Sequence, residues 1–388
     1  LADGREGDGV SAELMVPKWF DKSPTLSHAD NFDQLRMALA SARRHLFAAG
    51  DDTAFGLSAS VESTVHKECA ARGLGGLIAS FGLALLDRAI LDALGRIDNA
   101  SIFALVCANR IGLSAATIPD LAGFDFAGFL RGIEPAQSVH VRHTVGLLDA
   151  LTEADVTVRL NDGLPESLEE AIAAYGHRYF KLKVAGDIDA DIERLSRIAA
   201  VLDRVSEPYF ATLDGNEQFS DIRAVQELWR RIGEEARLAR LKGSILLIEQ
   251  PITRGQALEK PVDALSDEIP IEIDESDADI SVFPHARALG YRGISSKACK
   301  GFYRALLNRA RVAKWNAEAG AERYFMSAED LTTQSGVAVQ QDFAQALIIG
   351  ATHIERNGHH YVDGMAGAPS AEQEAFLAAH PGLYARAN

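Results

Sequence analysis

The chain has 388 residues, of which 47% are hydrophobic and 24% charged, the composition of an ordinary globular protein. Its formal charge of −16, from 39 basic and 55 acidic residues, disfavours nucleic acid and anionic membrane surfaces as partners. A small anionic substrate stays compatible with this charge, because lysines and a metal ion can dominate the local field. The length allows one large barrel domain and a smaller domain.

Cysteines and apolar runs indicate the compartment. Cys69, Cys107 and Cys299 are too few and too scattered for a disulfide framework or a zinc site, and they fit a reducing cytosol. The apolar run LGGLIASFGLALL is shorter than the roughly 18 residues of a transmembrane helix and is broken by glycine. We therefore expect a cytoplasmic protein without a membrane partner, and we also expect a homo-oligomer.

The first part of the chain has a mixed pattern. The strand-like pieces SAELMV and DTAFGLSAS accompany the helical pieces FDQLRMALASARRHLFAAG and FGLALLDRAILDALGR. This pattern predicts a separate α+β domain over residues 1–135. The segment 358–388 reads as a helix with turn residues and is expected to pack back on that domain.

Strand-like and amphipathic helix-like segments alternate through residues 136–357. Seven strands are predicted, at Arg178–Val184, Tyr209–Leu213, Ile245–Ile248, Ile271–Ile273, Gly293–Ser296, Arg323–Ser327 and Thr352–Glu355. Such alternation implies parallel βα units, and one more upstream strand would close a (β/α)8 barrel of the TIM type. Either Val139–Gly146 or Val156–Leu160 could be that strand, followed by LPESLEEAIAAYG as the first barrel helix.

Four successive strands end an apolar run with a charge, in YFKLKV, YFATLDGN, ILLIEQP and IPIEIDES. The carboxylates concerned are Asp214, Glu249 and Asp274, at the barrel edge where active sites lie. Because an unpaired buried carboxylate costs several kcal/mol, three of them near one another need a cation, and oxygen ligands favour a hard divalent metal. Separate ion pairs at each strand end are the simpler alternative, but they leave the shared ending unexplained.

Three lysines complete the predicted site. Lys181 and Lys183 are two residues apart on one strand, so both face the barrel interior. Adjacent ammonium groups and burial both lower a lysine pKa, which would let one of them act as a general base; pairing with a carboxylate is the alternative. Lys297 comes four strands later and therefore faces them across the barrel. Two bases on opposite sides of a carbon suit proton removal and return, or elimination or ring opening.

The order K-x-K, D-x-N, E-Q-P, D-E-S and a strand-end lysine resembles the enolase superfamily, and within it the mandelate racemase and muconate lactonizing enzyme family. The resemblance covers about residues 139–357, and the preceding domain is similar to that family's α+β capping domain. It implies that Asp214, Glu249 and Asp274 bind one Mg²⁺. It also implies an isomerase or lyase that abstracts the proton α to the carboxylate of a small acid, through a metal-stabilised enediolate.

The resemblance also implies roles for the other residues. Lys183 would be the base, Lys181 would touch the substrate carboxylate, and Lys297 would be the opposite base or a cationic stabiliser. Asn216 and Glu275 would support them. The reaction would be racemisation or epimerisation, cycloisomerisation or dehydration.

The chain departs from the family pattern in several places. KACKGF replaces the usual K-x-x-x-x-G-G, so Lys300 competes with Lys297 for the second base. HIERNG lacks the D-x-D that would hold a dipeptide ammonium, and RYFMSAED lacks the histidine of a His–Asp dyad. Glu329, Asp330 and Glu355 at that mouth are either substrate contacts or solvated loop carboxylates.

Two other functions stay open at the level of sequence. One is a lyase or aldolase that uses a lysine of the barrel as a Schiff-base nucleophile and needs no metal. The other is a non-catalytic barrel kept for binding or assembly, although its expected mark, a missing ligand or base, is not found here. His359 and His360, which follow the last strand, are interpreted either as substrate contacts or as packing residues of the tail.

Overall fold

The computed structural model describes residues 1, 3–329, 332–333 and 335–386. Eight parallel strands form a closed barrel in chain order. They are β1 His140–Val145, β2 Tyr179–Lys183, β3 Phe210–Asp214, β4 Ile245–Glu249, β5 Ile271–Ile273, β6 Gly293–Ser296, β7 Phe325–Ala328 and β8 His353–Arg356. The predicted (β/α)8 barrel is confirmed, and the seven predicted strands lie within two residues of their observed bounds.

Helices precede, surround and follow the barrel. Those before it are α1 Pro17–Phe20, α2 His28–Ala48, α3 Ala54–Ala71, α4 Gly76–Asp98, α5 Ile102–Cys107 and α6 Phe126–Arg131. Those between strands are α7 Leu168–Tyr175, α8 Ile188–Leu202, α9 Ile222–Glu234, α10 Ala239–Ser244, α11 Asp263–Ser266, α12 Val282–Ala288, α13 Phe302–Ala319 and α14 Val337–Ile348. The helix α15, Ser370–Ala379, follows the last strand.

The earlier of the two candidate segments is the first strand. β1 lies inside Val139–Gly146, whereas Val158 and Leu160 of the later segment are 76% and 71% exposed and could not serve a buried barrel wall. The predicted first helix is α7. Its first turn is capped by the Ser167 hydroxyl, which accepts the N–H of Glu170, and it ends at Gly176 in the left-handed conformation.

The prediction of strands before the barrel was wrong. Among the described residues that precede β1, the regular elements are helices, and SAELMV forms no strand. DTAFGLSAS instead enters α3, because the Thr53 hydroxyl caps the first turn by accepting the N–H of Gly56. The buried residues Phe55, Ser58 and Val61 recur at a spacing of three, which suits a helix face and not a strand.

The N-terminal helices pack on one another and on the mouth of the barrel. α2 and α4 approach closely at Gly82, where a Cβ atom would lie 2.4 Å from the backbone carbonyl carbon of Ala38. Leu77 and Phe81 of α4 share an apolar core with Cys299, which follows β6. This contact brings the N-terminal helices over the carboxyl end of the barrel, where the charged side chains lie.

The segment after β8 lies against the barrel. The Tyr361 hydroxyl donates to Asp149 Oδ1 at 3.4 Å, and the Tyr384 hydroxyl accepts the N–H of Gly336 at 3.3 Å. These hydrogen bonds join the segment 358–388 to the barrel and not to the N-terminal domain, on which it was predicted to pack. The domain bounds stay a prediction. Within the part of the chain that the structure describes, no helix has the length and apolarity to cross a bilayer.

Candidate active site at the mouth of the barrel

The strand register places the predicted site residues side by side. Lys183 of β2 is paired with Asp214 of β3, and Asp214 with Glu249 of β4. Glu249 is in turn paired with Glu272 of β5. Because side chains alternate along a strand, Lys181 and Lys183 project to the same side. The carboxylates that they contact show that this side is the barrel interior.

Lys181 is buried among carboxylates. Its Nζ lies 3.1 Å from Asp214, 2.8 Å from Glu249, 2.6 Å from Glu329 and 3.1 Å from Glu355. Burial lowers the pKa of Lys181, but the charges of the surrounding carboxylates raise it by more, so that the net pKa lies well above its usual range. The sequence-based expectation of a lowered pKa was wrong for this state of the site, because the carboxylates outweigh burial and the neighbouring lysine.

Lys181 and Lys183 both line the cavity above the site, and Lys183 is the more exposed of the two. Its side chain is 21% exposed, against 2% for Lys181, and its Nζ forms an ion pair with Asp214. Burial lowers the pKa of Lys183, whereas the Asp214 charge raises it, and the net direction is upward. Lys183 is therefore protonated while the Asp214 charge faces it.

Lys297 and Lys300, between which the sequence could not choose, have different surroundings. The Nζ of Lys297 lies 3.1 Å from Asp274 Oδ2 and 4.8 Å from the centre of the Trp19 ring, at the edge of a cavity. Lys300 also lies 2.8 Å from Asp274 Oδ1, but it donates in addition to the backbone carbonyls of Asp274 and Ser295, both at 2.8 Å. Lys300 therefore fixes the backbone, and Lys297 is the better placed to meet a substrate.

Asn216, Glu275 and Gln250 organise the loops after β3, β4 and β5. The Asn216 side chain donates to Glu275 Oε1 at 2.8 Å from a left-handed backbone with φ of 40°. The Gln250 side chain accepts the N–H of Asp274 at 2.7 Å and that of Ser276 at 3.1 Å. Sequence reasoning missed this positioning role of Gln250, although it is the middle residue of the E-Q-P motif.

A second group of carboxylates lies deeper in the barrel. Oxygen atoms of Glu249, Glu272 and Glu329 lie within 4.8 Å of one another, and all three residues are buried. Burial raises the pKa of Glu272 to about 7, although the Arg142 charge opposes it. Glu272 Oε2 has no hydrogen-bond partner among the described residues. An all-oxygen donor set with an unpartnered buried oxygen suits a hard divalent cation.

Sequence reasoning did not find Glu272 or Arg142. Glu272 lies two residues before Asp274 and so faces the same side of β5, which could have indicated it. Arg142 forms an ion pair with Glu329 inside the barrel, but it belongs to the strand that the sequence left ambiguous. The Glu355 carboxylate, which accepts a hydrogen bond from Thr144 at 2.7 Å, is an interior group and not a solvated one.

All three predicted metal ligands pair with lysines, but Glu249 also belongs to that deeper group, and burial raises its pKa well above its usual range. Burial raises the pKa of Asp214, but Lys181 and Lys183 lower it more, and the net direction is downward. Lys297 and Lys300 likewise hold the pKa of the buried Asp274 below its usual value. Both aspartates are therefore ionised at neutral pH. Asp330 lies outside the described residues.

A cavity of about 270 Å³ opens above these charges. Its floor includes Lys183, Asp214, Asp274 and Lys297, and its cover is the segment from Glu13 to Phe20. Arg254 fixes this cover by donating to the backbone carbonyls of Trp19 and Phe20, both at 3.0 Å. The cavity thus joins a charged floor to a cover that presents Leu14, Val16, Trp19 and Phe20.

Comparison with solved structures supports the fold. A mandelate racemase/muconate lactonizing protein from Herpetosiphon aurantiacus is 17% identical, covers 93% of this chain and 82% of its own, and has a TM-score of 0.55. An enolase from Bradyrhizobium complexed with magnesium and mandelic acid is 18% identical, with coverage of 83% and 72% and a TM-score of 0.54. A dipeptide epimerase from Enterococcus faecalis V583 complexed with Mg and the dipeptide L-Leu-L-Tyr is 14% identical, with coverage of 91% and 79% and a TM-score of 0.54.

These likenesses confirm, at the level of the fold, the resemblance predicted from the sequence. No protein-family model matches the chain, and no curated protein matches it. At identities below 20% in these three comparisons, the similarity establishes a shared architecture. What the chain does must therefore be argued from its own site.

Proposed function

We propose that this protein is a magnesium-dependent isomerase or lyase that abstracts the proton α to the carboxylate of a small acid. The observation that carries the proposal is the placement of Lys183 and Lys297 around one cavity, beside buried carboxylates. β2 and β6 are four strands apart in a closed barrel of eight, so the two lysines approach the cavity from opposite walls. Solved neighbours of this fold that carry magnesium with mandelic acid or a dipeptide are consistent with it.

Asp214, Glu249 and Asp274 are the residues proposed to hold the metal. Asp214 and Asp274 line the cavity and are ionised, and Glu249 stands next to Asp214 in the register. Mg²⁺, when bound, would supply positive charge beside the substrate carboxylate and so favour the anion that forms when the proton leaves. Glu272 and Glu329, the alternative partners of Glu249, do not line this cavity, whereas Asp214 and Asp274 do, so the deeper group is the second choice for a substrate-facing metal.

Lys183 and Lys297 are proposed to move the proton. Lys183 Nζ is protonated while Asp214 faces it, but once a bound cation offsets the Asp214 charge, burial and Lys181 act to lower its pKa. The neutral amine would then take the proton from one face of the substrate carbon. Lys297, on the opposite wall, would return a proton to the other face or stabilise the negative charge. Lys181 would contact the substrate carboxylate.

The size and cover of the cavity indicate the substrate class. A volume of about 270 Å³ lies just below the range of roughly 300–1,000 Å³ for sites of drug-sized ligands, so a small acid fits. Leu14, Val16 and Trp19 in the cover would contact the part of the substrate that lies away from its carboxylate. The homo-oligomeric state and the cytoplasmic location stay predictions.

An isotope-exchange screen tests the proposal. The protein with Mg²⁺ is incubated in D₂O with hydroxy acids, acid sugars, N-acyl amino acids, dipeptides and muconate-like lactones, and α-deuteration is measured by mass spectrometry. We expect uptake on at least one class, lost on chelation and restored by Mg²⁺. Uptake that survives chelation would contradict the metal-dependent proposal. Covalent trapping of a carbonyl substrate by borohydride would favour a Schiff base instead.

A further inference from the structure

Three buried histidines meet on the outer wall of the barrel, away from the mouth. His143 of β1 points outward, since its neighbour Arg142 points into the barrel. His177 precedes β2, and His359 follows β8. One ring nitrogen of each lies within 4.8 Å of the other two, and all three residues are buried. Three distant parts of the sequence thus bring imidazole nitrogens close to one another.

The histidine cluster of His143, His177 and His359 is only partly satisfied by internal hydrogen bonds. His143 Nδ1 and His359 Nε2 lie 2.9 Å apart and can share one proton. The Nε2 of His177, which is 7% exposed, has no hydrogen-bond partner among the described residues. Leaving a buried polar nitrogen unpaired costs about 1–3 kcal/mol. A ligand shared by the three residues would supply the missing partner of His177.

The imidazoles are in the form that binds metals. Burial lowers the pKa of His177 to about 4 and that of His359 to about 3, and neighbouring imidazoles act in the same direction. Burial also lowers the pKa of His143 well below its usual range. Neutral imidazole nitrogens are ligands for zinc and related transition metals, whereas Mg²⁺ prefers oxygen.

The cluster also has a path to solvent. A cavity of about 490 Å³, distinct from the one at the mouth, is lined by His177 and His359 together with Tyr175 and Asp363. An ion could reach the ring nitrogens from this side. Water from the cavity could fill a fourth coordination position, which three protein ligands leave open.

We propose that His143, His177 and His359 bind a borderline divalent transition metal, with Zn²⁺ as the reference ion. The ion would join β1, the loop before β2 and the segment after β8, and so secure the tail to the barrel. Ligands in a tetrahedral zinc site with Zn–N bonds of about 2.0–2.1 Å are about 3.3 Å apart. His143 and His359, whose nitrogens are 2.9 Å apart, would separate by a few tenths of an ångström as the metal replaces their hydrogen bond.

Metal titration of the full-length, chelator-stripped chain tests this site. Zn²⁺ binding is measured by calorimetry, and Co²⁺ binding by its visible absorption, both with saturating Mg²⁺ to occupy the barrel mouth. The variants are His177→Gln and His359→Gln, with His285→Gln on the exposed face of α12 as the matched control. We expect one ion per chain in the wild type and in H285Q, and at least 100-fold weaker binding in H177Q and H359Q.

Two further measurements separate the site from its alternatives. Asp274→Asn, at the mouth, should keep the zinc stoichiometry, so failure of the magnesium proposal would leave this result unchanged. If a histidine variant does not fold, the X-ray absorption spectrum of the wild-type zinc complex still counts its imidazole ligands, for which we expect three. Fewer than three imidazoles, equal binding in H177Q and H359Q, or no zinc binding by the wild type would each overturn the proposal and leave a packed imidazole cluster.

Discussion

The barrel interior and the N-terminal helices both bury carboxylates, but they surround them differently. Four carboxylates of the barrel contact the Lys181 ammonium, and the pKa of Asp214 is held below its usual range. Asp87 of α4 accepts one hydrogen bond from the Ser58 hydroxyl at 2.8 Å, and burial raises its pKa to about 8. Asp87 is therefore neutral at pH 7, whereas Asp214 is charged.

The two regions keep buried carboxylates in different protonation states. In the helices, protonation removes the cost of burying a carboxylate. In the barrel, lysines hold Asp214 and Asp274 in the ionised form, which is the form needed to bind a cation, whereas burial raises the pKa of Glu249 well above its usual range and that of Glu272 to about 7. Ionised carboxylates beside ammonium groups at the mouth therefore indicate a functional site, whereas the neutral buried acid of α4 is compatible with a structural role alone.

Removing the central ammonium should have the largest effect at neutral pH. Lys181→Met leaves four carboxylates without their shared partner, and breaking a buried ion pair costs about 3–5 kcal/mol. We expect that loss in the free energy of urea unfolding at pH 7 with chelator present. Lys260→Met, at an exposed position, is the control and should change stability little. Equal stabilities of K181M and K260M would contradict the electrostatic account.

Magnesium should stabilise the barrel by a smaller amount. At a concentration of 100 times Kd, a ligand that binds only the folded state adds about 2.7 kcal/mol, which raises Tm by a few degrees. We expect this shift in differential scanning calorimetry of the wild type and of Glu272→Gln, and its loss in Asp274→Asn. Loss in E272Q with retention in D274N would instead assign the metal to the deeper carboxylate group.

The pH dependence of stability should expose the neutral acid in α4. The pKa of Asp87 is about 8 when folded and ordinarily 3.8, so its favourable contribution is complete below pH 3.8 and declines as pH rises toward 8. Asp87→Asn does not titrate. We therefore expect similar unfolding free energies for D87N and the wild type at pH 4, and about 5 kcal/mol in favour of D87N at pH 9, since each unit of the pKa shift corresponds to about 1.4 kcal/mol. A constant difference across this range would show that Asp87 does not titrate as described.

The smallest expected effect concerns the cover that joins the two regions. Arg254 forms an ion pair with Glu217 and donates to the carbonyls of Trp19 and Phe20. Arg254→Ala should loosen this cover and slow proton exchange about tenfold, because misplaced groups reduce the effective concentration of the reacting atoms. Arg223→Ala, on the exposed start of α9, is the matched control. An unchanged rate of proton exchange in R254A would show that the position of the cover does not affect catalysis.

Much of the barrel could be predicted from the sequence, since its strands are apolar runs that end in charges. The strand before α7 could not, because β1 has the largely polar sequence HVRHTV, in which Val141 and Val145 are the apolar residues. The prediction of N-terminal strands was wrong. Apolar residues alternate in DTAFGLSAS as in a strand, but the Thr53 cap and the core contacts of Phe55 stabilise a helix there. Local patterning does not contain those tertiary contacts.

The site was predicted in its positions better than in its electrostatics. The sequence places Lys183, Asp214 and Glu249 on neighbouring strand ends, and the register brings them together. The direction of the Lys181 pKa shift was not predicted, because it depends on how closely Asp214, Glu249 and Glu355 surround the ammonium group in the closed barrel. Such contacts depend on barrel closure and not on any local motif.

Proton exchange by two lysine variants tests whether Lys183 and Lys297 act on opposite faces of the substrate carbon. Each enantiomer of a substrate found by the deuterium screen is incubated in D₂O with the wild type, Lys183→Met or Lys297→Met, all with Mg²⁺. We expect each variant to lose at least 100-fold in exchange on one enantiomer, and K183M to keep magnesium binding. Exchange on both enantiomers at the wild-type rate in both variants would contradict proton transfer by lysines on opposite walls of the barrel.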